Sequence, residues 1–160
     1  MSSNIGRIGF MNINKKSRIM LYAGFLFKYL ILFAVGGAVY YLIEVLWRGH
    51  SYISMAATGG ICFILMGLIN EVLSWETPLV LQMLIAACLV TIVEFIAGCI
   101  LNLWLGLGIW DYSHMPLNLL GQICAPYFLL WYFLSAAGIV LDDYLRYWWF
   151  GERKPRYRIL

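Results

Sequence analysis

Between residues 78 and 104 the chain reads PLVLQMLIAACLVTIVEFIAGCILNLW, and this stretch decides the fold. It carries one formal charge, Glu94, among residues of which nearly all are apolar. At 1.5 Å per residue it spans about 40 Å as a helix, enough to cross a hydrocarbon layer about 30 Å thick with some tilt. Pro78 suits the first turn of such a helix, and Ser74–Pro78 before it reads as a tight turn.

The same pattern recurs on both sides. A first span is expected over about 22–47, with Lys28 one turn inside and able to snorkel to the headgroups. A second is expected over about 52–71, with Ala56, Gly60 and Gly67 at helical spacing, where small residues allow close helix approach in lipid. A fourth is expected over about 119–141. The segment from Asp142 onward reads as interfacial, with Tyr144, Tyr147, Trp148 and Trp149 at headgroup level. Residues 105–118 read as a loop rich in Gly, Trp, Tyr and Pro. The fold class is therefore all-α: one integral membrane domain of about four transmembrane helices over 22–150. It lies between a basic N-terminal tail, 1–21, and a basic C-terminal tail, 151–160.

Composition agrees. Of 160 residues 63% are hydrophobic and only 12% are charged, about half the charged share of a soluble domain. Mean hydropathy is +0.82. No Lys or Arg occurs between Arg48 and Arg146. Ten of the eleven cations lie in the two terminal segments, so both termini are expected in the cytoplasm, which requires an even number of spans. The net charge of +3 thus comes from the ends. It forms no basic face for nucleic acid, and the expected partners are membrane lipids, a further copy of the chain or another membrane subunit. The four cysteines sit in apolar runs without a CxxC pair and read as packing residues.

In a membrane span the informative residues are the polar ones. Thr91, Glu94, Gly98 and Asn102 follow i, i+3, i+7, i+11 and share a helical face. Glu94 lies near the middle of its span, where a carboxyl must be neutral, paired or hydrated. Glu44 and Arg48 end the first span with i,i+4 spacing. Asp111 and Tyr112 lie in the loop, and Asn118 and Gln122 are expected to open the fourth span. These residues are expected to line one outward-facing polar pocket in which Arg48, Asn118 or Gln122 comes within hydrogen-bond or one-water reach of Glu94. The bland alternatives are a hydrogen-bonded tie between helices at Glu94 and an interfacial salt bridge at Glu44–Arg48. Glu71 falls outside the set and reads as a solvated helix end.

Several chemistries are set aside. There is no GxxxxGK[ST], GxSxG, SxxK or HExxH. Glu44 and Arg48 supply half of the EExxxR signature of intramembrane CAAX-type proteases, but Ile43 stands at the first Glu and the spans hold no His. His50 and His114 lie in loops and read as surface residues, so neither metal nor cofactor is expected.

The run Trp110-Asp111-Tyr112-Ser113, followed by Pro116, Asn118, Gly121, Ile123 and Cys124, resembles the signature of a bacterial membrane family labelled putative ABC-transporter type IV. The Glu44 region, Val93-Glu94-Phe95 and Gly98 resemble that family's pattern too, and the resemblance covers roughly 29–150. Gln122 stands where the family pattern has a basic residue, so no anion-binding role is carried over to it. The resemblance implies a multi-pass protein of the bacterial cytoplasmic membrane and a permease subunit. The expected inner loop, about five residues, is too short for a coupling helix, so the tails would have to engage an ATPase. Two other readings compete: a holin-like pore former, and a membrane enzyme acting on a lipid or peptide at the outer leaflet. An enzymatic role is the weaker expectation.

Overall fold

The computed structural model describes the backbone of residues 15–159 and the side chains of 18–159. The expected N-terminal tail is outside the described residues up to position 14, as is Leu160. Four helices follow in order: α1 Lys15–Arg48, α2 Ile53–Val72, α3 Leu79–Gly98 and α4 Ala125–Phe150. A π-helical turn, Cys99–Trp104, extends α3, and the Leu105 N–H donates to the Ile100 carbonyl, five residues back, at 2.9 Å. Described residues outside these elements are loops and turns. All four helices are long and apolar enough to cross a membrane.

Short connections force neighbouring helices antiparallel. The bundle therefore has a loop end, carrying Arg48, Trp104 and the long 105–124 connection, and a tail end, carrying Val72, Leu79 and Phe150. Exposed Trp47, Tyr52 and Trp104 ring the loop end, and exposed Tyr147, Trp148 and Trp149 ring the tail end. Such belts sit at headgroup level. The α2 helix between them has 20 residues, about 30 Å, one hydrocarbon thickness.

Small residues set the packing. The Ala56 carbonyl lies where a Cβ on Gly37 would be, 2.6 Å away, and a Cβ on Gly60 would lie 2.7 Å from the Phe33 ring. Hence α1 and α2 approach backbone to backbone, as the Ala56–Gly60 spacing predicts. Gly67 meets α4 instead: its face is filled by the Asp142 carboxylate. The apolar core joins Leu32, Phe63, Met66, Val90 and Ile139 from all four helices.

Three boundaries differ from expectation. First, α1 already runs from Lys15, the first described residue, rather than from near 22, and Lys15–Met20 holds no Gly or Pro. Second, α4 begins at Ala125 rather than 119. Leu117 (φ 52°), Leu120 (φ 51°) and Gly121 (φ 68°) adopt left-handed backbone, which cannot continue a helix. The helix then starts at Ala125, with Pro126 in its first turn. Third, α4 does not stop at 141. It runs through Asp142 to Phe150 and ends at left-handed Gly151 (φ 67°), whose N–H caps the Arg146 carbonyl.

Candidate functional site

Polar side chains gather in two places, one at each end of the bundle. At the loop end the π turn carries Asn102, and such turns recur at functional sites. Its amide uses both ends: Nδ2 donates to the Trp110 carbonyl (3.0 Å) and Gln122 Oε1 (2.8 Å), while Oδ1 accepts from the Ile109 N–H (2.7 Å). The Trp110 indole donates to the Gln122 carbonyl at 3.0 Å. Gly98 leaves the space that the Gln122 side chain fills. Gln122 is 4% exposed and reaches this centre from the loop, not from the opening of α4.

Arg48 pairs with Glu44 one turn back, Ser51 donates to the same carboxylate, and Arg48 also donates to the Ile109 carbonyl at 3.3 Å. Glu44 and Arg48 thereby fasten the end of α1 to the 105–124 loop. Tyr112 stacks on Tyr127, ring centroids 4.4 Å apart. Burial pushes its phenol above the ordinary tyrosine range.

Glu94 is 4% exposed, and its partner is one that sequence reading missed. Trp131 of α4 donates its indole N–H to Oε2 at 2.7 Å. The direct donor is therefore Trp131, where the sequence suggested Arg48, Asn118 or Gln122. The hydropathy pattern gives no hint of it, since a tryptophan in a span counts as apolar. Tyr40 of α1 stacks on that indole at 5.7 Å. The Thr91 hydroxyl, on the same face of α3, is buried without a partner. An apolar groove of about 130 Å³ lies beside Trp131, between Tyr40, Gly59, Met66 and Gly138.

Asp111 and Asn118 do not join this group. Asp111 is exposed and accepts from the Ser113 N–H (2.8 Å) and hydroxyl (2.9 Å). Those bonds hold its carboxyl below the usual carboxylate range. Asn118 is exposed, donates to the Ser113 and Met115 carbonyls and accepts from the Gly121 N–H. Both shape the loop. Gly121 is required there, because a side chain at its positive φ would also meet Asp111 Oδ1 at 2.7 Å.

The tail end holds a second polar centre that the interfacial reading of residues 142–150 concealed. Asp142 (0% exposed), Asp143 (4%) and Arg146 (2%) point inward from α4. Arg146 pairs with Asp142 one turn back, with Glu71 at 3.7 Å and Glu152 at 4.0 Å, and lies over the Tyr29 ring at 5.3 Å. Asp143 accepts from Asn70 of α2 (2.6 Å) and from the Tyr157 hydroxyl (2.8 Å). Lys28 of α1 pairs with Glu152 at 2.6 Å, so it ties α1 to the residues after α4 as well as lying near headgroup level. Glu71 is half exposed but belongs to this network through Arg146. The sequence signal was the i,i+4 pair Asp142–Arg146, which cancels its own charge.

These features define a multi-pass helical membrane protein with a polar centre at each end of its bundle. The chain belongs to the putative ABC-transporter type IV family, whose model matches residues 9–148 of the 160. No curated protein and no solved structure matches the chain.

Proposed function

We propose that the chain is a permease-like subunit of a bacterial cytoplasmic-membrane transporter, with both termini inside and Glu94 as a polar centre reached from the outer, loop end. One observation carries this reading. Glu94 is buried within α3, and the hydrogen bond it receives comes from the neutral Trp131 indole rather than from a cation. An ionisable side chain inside a span is costly and marks a functional site by default. Glu44, Arg48, Thr91, Asn102, Tyr112 and Gln122 form the polar approach to it. Asp111 and Asn118 act by holding the loop above. Lipids surround the bundle, and a second copy or another membrane subunit completes the transporter.

The connection between α2 and α3 is the short 73–78 loop, with no room for a coupling helix. Coupling to an ATPase in the usual permease manner is therefore not expected. A partner would engage the loop together with the C-terminal segment lying against it.

The test is a deletion strain expressing wild type, Glu94→Gln or Glu94→Ala from one promoter. Glu94→Gln keeps the shape and still accepts the Trp131 hydrogen bond through its carbonyl oxygen. It should insert and fold like wild type yet fail to restore the deletion phenotype. Full restoration by Glu94→Gln would make Glu94 a tie between α3 and α4. Rapid depolarisation on modest induction of wild type would favour the holin-like pore instead.

A further inference from the structure

The segment after α4 reads Gly-Glu-Arg-Lys-Pro-Arg-Tyr-Arg-Ile over 151–159, with four cations at 153, 154, 156 and 158. Such a sequence suggests a solvated tail. The structure folds it into a hook against the α2–α3 loop. Pro155 is buried. The Tyr157 hydroxyl donates to buried Asp143 at 2.8 Å, and its ring lies 6.2 Å from the Trp75 ring. The Leu79 N–H, an orphan donor of the first turn of α3, is satisfied by the Arg158 carbonyl at 2.7 Å.

Pinning the backbone at 155, 157 and 158 fixes where the cations stand. Arg153, Lys154, Arg156 and Arg158 line a cavity of about 740 Å³ with Trp75, Tyr157 and one carboxylate, Glu76. Among the described lining residues, cations thus outnumber carboxylates. The adjacent cavity of about 440 Å³ has the opposite character, with Glu71, Asp143 and Glu152 facing Arg146 and Arg153. The cation-rich cavity thus lies beside one in which carboxylates outnumber cations by one, with Arg153 shared between them. It also lies at the tail end, where Tyr147, Trp148 and Trp149 mark the headgroup level. Guanidinium groups match a phosphate in two-point hydrogen bonds, and an ammonium adds a point charge.

We propose that the hook, with Trp75 as its apolar wall, is a binding site for the phosphate of an acidic phospholipid headgroup. The site is built rather than merely basic: its geometry depends on Tyr157 and the Leu79–Arg158 bond as much as on charge. It stands independently of the reading of Glu94.

Native mass spectrometry of the full-length protein in mild detergent tests this. The probes are phosphatidylglycerol and phosphatidylcholine of equal chain length, offered together, with inorganic phosphate as a third arm. Wild type should retain phosphatidylglycerol about tenfold over phosphatidylcholine. Lys154→Gln/Arg156→Gln, both at exposed positions, should bring the ratio near one. Tyr157→Ala should do the same while keeping every cation. The double variant keeps the test decisive should Tyr157→Ala fail to fold. Equal retention of both lipids by wild type, or an unchanged preference in the double variant, overturns the proposal. An unchanged preference in folded Tyr157→Ala overturns the built site, leaving only a polybasic tail. Displacement of the lipid by millimolar inorganic phosphate overturns the lipid as the source of the anion.

Discussion

Replacing Arg146 by Met should be among the most damaging single changes in the chain. Arg146 is 2% exposed and Asp142 is fully buried. Removing the cation leaves Asp142 without the partner it has on its own helix, and its Oδ1 is already unpartnered. Breaking one side of a buried ion pair costs about 3–5 kcal/mol. Asp143 keeps Asn70 and Tyr157, so it adds little to that loss. Asp142→Asn should cost less, about 1–3 kcal/mol, because Arg146 retains Glu71, Glu152 and the Tyr29 ring. The double variant should lose about 2 kcal/mol less than the sum of the singles, the signature of coupled neighbours. Reversible unfolding in mixed micelles, followed by tryptophan fluorescence, reads all three. A loss below about 1 kcal/mol for Arg146→Met, or strict additivity, would mean that water already screens this pair and the tail-end centre is not a buried network.

Gly67→Ala should destabilise by about 1–3 kcal/mol in the same assay, because its methyl meets the Asp142 carboxylate; Gly24→Ala, with open space around it, should not. The loop after Trp110 should loosen in acid: the Ser113 bonds lower the Asp111 pKa, so their support is complete above the ordinary carboxylate range and is lost as pH falls through the lowered value. Amide exchange at Ser113 against pH reads this, and protection that persists below the lowered value, once the carboxyl is protonated, would contradict it. Reporters fused to each terminus should both report cytoplasm, and an external signal from either removes the proposed orientation.

The four spans are legible because a bilayer tolerates so few charges that long uncharged apolar runs have little other use. The ends of α4 are not, for two reasons. Leu117 and Leu120 are apolar and read as helix, yet both take left-handed backbone that side-chain hydropathy does not encode. Asp142, Asp143 and Arg146 read as an exit from the membrane because hydropathy scores each charge alone. Inside the bundle Arg146 instead pairs with Asp142 one turn back and lies near Glu71, while Asp143 accepts from Asn70 and Tyr157. At the loop end, the spacing put Glu94 and Asn102 on one face of a regular helix, whereas Asn102 is carried by the π turn Cys99–Trp104. The spacing could not reveal that Trp131 is the donor, since an indole carries one polar atom on a large apolar body.

The most direct measurement of the central claim, a polar centre reached from outside, is thiol accessibility at position 91. The Thr91 hydroxyl is buried without a hydrogen-bond partner and shares a face of α3 with Glu94, so Thr91→Cys sacrifices no bond. Intact cells are treated with a small, membrane-impermeant thiosulfonate and compared with wild type, whose own four cysteines set the background. The introduced thiol should react from outside, because the reagent needs water and a thiolate and the proposed centre supplies a wet path to both. Reaction only after the cells are permeabilised would invert the proposed orientation, and no reaction above background in either condition would leave Glu94 sealed within the bundle.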